Sequence, residues 1–350
     1  MKTKPTSARH GLLAGGTWLV EHIKTIDGFP QPTHLAEIHS VQTVVGGSPG
    51  NILLTLAACG ADFPLLAAGC VGKDEAGALL LKHCHQRGID TKFLTVIPKA
   101  ATGFTDAMTE RASGRSTGFY APGANALWAG AELDFTKLKL KWFHLGPLGQ
   151  LAALDAPDGK FGTKGAKLLA AAQAAGLKTS IALARLPAAQ LAPVAAAALK
   201  FTDYLIINES EAGLVTGFKV REPDGKLDTV ALRHATGALL QQGVRELVVV
   251  HFPEGAFART RRGEDVWQSA VKLPPKLVTG GTGVAEAFSA GCLLGLHAGW
   301  ETPRWLELAV CLAAACQSEP TGVSGIKSAS AALALGKKYR FQPPLEPGEF

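Results

Sequence analysis

Short apolar runs bounded by glycine, proline or polar clusters recur along the chain, with Ala- and Leu-rich stretches of helical spacing between them. Residues 11–16 and 18–22 read as one buried first strand running into polar residues, and 23–32 as a turn-rich excursion ending in Pro30 and Pro32. Over 34–45 the apolar positions Leu35, Ile38, Val41, Val44 and Val45 suit a strand. A helix over 52–58, a strand over 65–71 and a helix over 75–87 follow, the last closed by Gly88 as a C′ residue. Within 102–120 two alternating segments flank the polar turn 110–115, a hairpin signature. From Trp142 onward, strands over 142–145, 179–183, 204–207 and 246–251 alternate with helices over 164–175, 188–200 and 230–242. A hairpin over 256–270 and helices over 285–299, 305–317 and 327–335 close the pattern. This order implies one α/β domain over 1–350, three layers deep, with a mostly parallel sheet covered by helices on both faces. The strand-only excursions at 33–45 and 102–121 would form a small β lid, and ligands would sit beyond the carboxyl ends of the strands.

Composition narrows the class. Apolar residues make up 47% of the 350 and charged residues 18%, enough to bury a sizeable core and far from a disordered chain. A formal charge of +6 favours anionic ligands, but the basic residues are scattered apart from 259–262 and 337–340, with no aromatic-interleaved basic face. Nucleic acid is therefore not the expected partner. The six cysteines form no CxxC pair and read as reduced, buried thiols. Residues 1–10 lack the apolar core of a signal peptide, and the apolar runs are interrupted before the roughly 18 residues a membrane span needs. A cytoplasmic enzyme that does not contact membranes is the expectation.

The stretch 278–291 carries the most chemistry. Gly280, Gly281 and Gly283 end an extended run and lead into an apolar helix, with Glu286 in its first turn. A helix start of this kind presents unpaired backbone N–H groups and partial positive charge, which suits a phosphate or a developing anion. Gly46, Gly47, Ser48, Pro49, Gly50 and Asn51 form an earlier Gly-rich turn that leads directly into a helix. Asn51 and Asn208 also fit as helix-start residues, and Glu21 as a solvated strand-end residue. His144, His251 and Cys292 share no metal-ligand spacing and read as packing residues.

The order of these motifs resembles the ribokinase-like (PfkB) carbohydrate kinase family over about 11–325. Residues 46–51 are similar to its early Gly-Gly-x-x-x-Asn signature, 71–77 to its V-G-x-D-x-x-G turn and 88–91 to its G-V-D-T. Gly123-Ala124-Asn125 follows the hairpin as in relatives, and Asn208-Glu209-Ser210-Glu211 is similar to the N-x-x-E element. The stretch 280–291 falls where the family has D-T-x-G-A-G-D-x-F-x-x-G. Aligned through Phe288 and Gly291, the catalytic Asp becomes Glu286, the second Gly of G-A-G-D becomes Ala285 and the leading Asp becomes Gly280. The Asp that usually ends the first strand corresponds to Glu21. Residues 250–255 keep only Gly255 of the nucleotide-side T-L-G-x-x-G, and the Asp common after the strand near 179–184 is absent.

The resemblance implies phosphoryl transfer from ATP, with Mg2+, to a hydroxyl of a sugar-like small molecule. It implies Glu286 as base, the backbone of Gly283, Val284 and Ala285 as anion hole, and Glu21, Gly46, Gly47, Asn51 and Asn125 as the acceptor site. Asn208, Glu211 and Gly255 would serve the nucleotide, with Glu211 holding magnesium through water, and the lid could support a homodimer. The departures at 285 and 286 leave a second possibility, a catalytically silent relative that binds a sugar or nucleotide and acts as a regulatory protein.

Overall fold

The computed structural model describes residues 9–113, 115–279, 281–319 and 321–345. Its first strand is shorter than the pattern suggests. β1 (Leu12–Gly16) ends before Thr17, and the chain then leaves for another sheet as β2 (Leu19–Ile26). β1 is buried at every position, whereas β2 is half-buried at five consecutive positions, 21–25. The polar residues that suggested a strand running out into a turn are the members of a partly solvated strand. β3 (Ile38–Gly46) pairs antiparallel with β2 and ends at the Gly-rich turn, where Gly47 caps α1 (Ser48–Ala58). Gly47 has φ +91°, and a Cβ there would lie 2.1 Å from the Thr17 carbonyl oxygen, so the turn requires glycine.

β4 (Leu65–Gly72) and α2 (Glu75–Gln86) stand where expected, and Asp74 caps α2 through a bond from Gly77 N–H. β5 (Asp90–Ile97) is an edge strand with exposed polar positions, which hides it from an apolar-run reading. The hairpin strands β6 (Gly103–Glu110) and β7 (Ser116–Ala121) complete a four-stranded sheet in the order β3-β2-β6-β7, with β2 and β6 parallel. The two strand-only excursions thus meet on either side of β2, which the sequence expectation leaves out.

The second half alternates as its periodicity indicates. β8 (Trp142–Leu148), the short α3 (Ala152–Asp155) and the two-residue strands β9 (Pro157–Asp158) and β10 (Gly162–Thr163) precede α4 (Lys164–Ala174). Then come β11 (Lys178–Leu183), α5 (Ala188–Leu199), β12 (Tyr204–Asn208), α6 (Glu209–Thr216), α7 (Thr229–Gln241) and β13 (Leu247–Phe252). The antiparallel strands β14 (Gly255–Thr260) and β15 (Asp265–Ser269) are followed by α8 (Val284–Ala298), α9 (Thr302–Gln317) and α10 (Ala329–Tyr339). Among the described residues the large sheet has nine strands in the order β15-β14-β13-β12-β11-β8-β1-β4-β5, parallel except at β14 and β15. One face packs Leu12, Ala14, Trp142 and Val249 against α1, α8 and α9; the other packs Leu13, Phe143, Ile181 and Val248 against α4, α5 and α7. Among the described residues no helix is long and apolar enough to cross a membrane. All six cysteines are free, and five are buried.

Candidate active site

The start of α1, the end of β1 and the beginning of β2 bring the early motifs together. Glu21 lies over the Gly-rich turn: its Oε1 would stand 2.4 Å from a Cβ built on Gly46. Asn51 is buried beside Gly283, whose ideal Cβ would be 3.3 Å from Asn51 Nδ2. Asn51 Oδ1 and Ser48 Oγ, one turn apart on α1, are buried without a hydrogen-bond partner among the described residues. Two orphaned polar atoms on one helix face call for a polar ligand, since leaving each unpaired costs about 1–3 kcal/mol. Asn125 is placed differently. Its Oδ1 accepts from Trp18 N–H at 2.8 Å and its Nδ2 donates to the Trp18 carbonyl at 2.9 Å. It pins the crossing between the two sheets.

Opposite Glu21 stands the N-terminus of α8. Gly283 adopts the left-handed conformation at φ +80° as the N-cap, and a Cβ there would approach Val323 Cγ1 to 2.8 Å. The first intrahelical bond is Ala287 N–H to the Gly283 carbonyl, so the amides before it have no helical acceptor. The loop is braced from behind, where Cys316 Sγ donates to the Thr282 carbonyl at 3.2 Å and Thr279 N–H donates to the Gln317 carbonyl at 2.9 Å. Gly280 lies outside the described residues.

Glu286 and Glu21 act on each other. Burial, then the neighbouring Glu286 charge, push the Glu21 carboxyl up to about 7, while a hydrogen bond from Thr282 opposes them. Burial also raises Glu286, with its own backbone bond and Arg185 pulling the other way. A raised carboxyl pKa makes the carboxylate the stronger base. Burial raises Glu211 to about 7 as well, against the bonds from Asn208 and the charge of Arg185.

A cavity of about 670 Å³ opens between the ends of β11, β12 and β13 and the starts of α6 and α8. Asn208, Glu211 and Gly255 line it. Asn208 caps α6 in a reciprocal capping box: its Oδ1 accepts from Glu211 N–H, and both Glu211 carboxylate oxygens accept from Asn208. Gly255 sits where a Cβ would meet the Gln268 carbonyl oxygen at 2.2 Å, so strand packing alone explains its glycine. His251, read as a packing residue, does pack on Phe288 with ring centroids 5.0 Å apart, but it also lines the cavity. Burial lowers its ring to about 4, leaving it neutral.

A family model for pfkB family carbohydrate kinases matches residues 12–327. The chain belongs to that family. It is 22% identical to a ribokinase of Haemophilus influenzae over 257 residues, 73% of this chain and 76% of that protein. The structure of Arabidopsis thaliana ribokinase complexed with ribose and ATP superposes with a TM-score of 0.74 at 17% identity, covering 95% of this chain and 99% of that one. Burkholderia thailandensis nucleoside kinase in complex with inosine gives 0.72 at 18% identity, over 95% and 100%. At such identities these likenesses speak for a shared ribokinase-like fold.

Within this family frame, Glu21 lies against Gly46, Asn51 lies against Gly283, and the Glu286 charge acts both on Glu21 and on Glu211, which lines the cavity with Asn208. Sequence reasoning missed Arg185, at the end of β11, and Thr282. Arg185 directly follows the run 179–184, buried except at the half-buried Ala182, and a cation at the carboxyl end of a parallel strand was the available signal. The Asn208–Glu211 pair suits a hydrated magnesium ion: each Glu211 oxygen keeps a lone pair after the capping box, enough for outer-shell contact through water.

Proposed function

We propose that this chain transfers the terminal phosphoryl group of ATP to a hydroxyl of a sugar or sugar-like small molecule. The observation that carries the reading is Glu286 in the first turn of α8: its charge acts on Glu21, beside the Gly-rich turn, and on Glu211, which lines the 670 Å³ cavity. Orphaned Asn51 Oδ1 and Ser48 Oγ, with the Glu21 carboxylate, offer acceptors and a donor to a polyol. Glu286 takes the proton from the attacking hydroxyl. Val284 and Ala285 N–H groups, with Gly283 at the cap, hold the negative charge of the transferring group. Asn208 and Glu211 would hold magnesium through water, and the ion neutralises phosphate charge when bound. Asn125 supports the acceptor side indirectly through Trp18.

The small sheet serves as lid over the acceptor. Its face carrying Val41, Phe104 and Phe119, which are 59%, 38% and 57% exposed, is the surface for a homodimer. Light scattering that finds only monomer at micromolar concentration rejects that assembly.

A second reading, a silent sugar- or nucleotide-binding relative, rests on Ala285, whose methyl sits in the first turn of α8 where the family has glycine. A panel of pentoses, hexoses and nucleosides with ATP and magnesium separates the two. ADP release with at least one acceptor supports transfer; a thermal shift with a sugar and no ADP release from any member supports the silent reading.

A further inference from the structure

Arg185 lies just past β11, in a backbone fixed on both sides. Ala184 N–H donates to the Leu148 carbonyl at 2.9 Å, Leu186 N–H donates to the Ala184 carbonyl at 3.0 Å, and Pro187 caps α5. The side chain lines the large cavity, and its charge acts on Glu211 of α6, Glu286 of α8 and His251 of β13. Among the described residues lining that cavity it is the only arginine or lysine, alongside the acidic Glu209 and Glu211. Arg221, close by, shows what a structural arginine looks like here. It donates to Glu254 at 2.6 and 2.9 Å, to Glu209 at 3.0 Å and to the Gly225 carbonyl at 2.9 Å. Arg185 is exposed and makes no such bond or ion pair among the described residues, so the five N–H donors of this lining side chain are unengaged and available to a ligand in the cavity.

A polyphosphate entering beside Glu211 and Glu286 meets repulsion that the α8 amides alone answer only in part. A planar guanidinium across from those amides would grip a phosphate from its other side, two N–H groups to two oxygens. We propose that Arg185 clamps the outermost phosphate of the nucleotide against the N-terminus of α8, acting as a cationic arm supplied by the same chain. The inference rests on the kinase reading above and assigns a residue to its donor side.

Calorimetry with ATP, ADP and AMP in magnesium, on wild type, Arg185→Ala and Arg185→Lys, tests it. Unfolding of each variant without ligand confirms an intact fold. Arg185→Ala should weaken ATP by about 10- to 100-fold and ADP by much less, with AMP unchanged, and Arg185→Lys should recover part of the ATP loss. Equal losses for ATP and ADP, or ATP affinity equal to wild type, would overturn the clamp and leave Arg185 as a counter-charge for Glu211 and Glu286. A wild type that binds none of the three overturns the kinase reading along with it.

Discussion

Glu21, Gly46, Gly47 and Asn51 converge within one turn of the start of α1, whereas Asn208, Glu211, His251 and Arg185 come from the ends of three separate strands. The acceptor half is held by backbone: Gly47 must be glycine, Gly46 lies against Glu21, and Asn51 sits against the left-handed Gly283. The donor half is held by side chains, a capping box and an arginine that makes no bond among the described residues. A half that is fixed by backbone keeps recognisable residues, because few substitutions fit its geometry. A half made of side chains can be rebuilt, and here Gly255 is all that remains of the T-L-G-x-x-G pattern.

The sharpest way to break the contrast lies at the junction of the halves. Glu286→Gln should lower turnover on any accepted substrate by roughly 10²- to 10⁴-fold while nucleotide affinity stays close to wild type. Turnover equal to wild type would move the base elsewhere and void the alignment through Phe288. Next in size is a pH effect on the acceptor half. Glu21 carries a raised carboxyl, so the folded state holds its proton more tightly than the unfolded chain and loses stability as pH rises from 4.5 to about 7. Glu21→Gln removes that loss, and its stability relative to wild type should rise by about 3 kcal/mol across the window in urea titrations. Parallel stability profiles for the two proteins would show that Glu21 is solvated.

Asn51→Ala should weaken the acceptor by about 1–3 kcal/mol in calorimetry. Asn125→Ala should instead lower unfolding stability, by a similar amount, since both halves of its amide bond the Trp18 backbone. Acceptor affinity lost at Asn125 with stability unchanged would return it to the binding residues. The smallest effect belongs to the double change Ala285→Gly with Glu286→Asp, which should keep or raise turnover; a loss would mean that the longer carboxylate and the methyl are matched to each other.

Much of this was visible in the chain. The parallel core from Trp142 onward follows directly from alternating periods, because strands covered on both faces are apolar throughout. β2 and β5 escaped because a strand open to solvent on one side mixes Glu21, His22 and Lys24, or Asp90 and Lys92, among its apolar positions. Glycines at fixed spacing exposed the acceptor half. Asn125 sits in the motif, yet its amide serves Trp18, and no local pattern reports a bond across 107 residues. Arg185 belongs to no motif: it is a single cation past the end of β11, where the family's common Asp is absent.

Trp18 has one more consequence. Its N–H and carbonyl are both held by Asn125, and its indole N–H donates to the Ala68 carbonyl at 2.8 Å, so the residue is an axle fixed in the large sheet. Glu21 lies three residues along β2, at about 3.3 Å per residue roughly 10 Å out on the lever. A swing of the small sheet by about 10° about that axle carries the Glu21 backbone by about 2 Å. That is enough to make or release its bond with Thr282, so a rotation too slight to alter the outline of the molecule would gear directly into the grip on the acceptor.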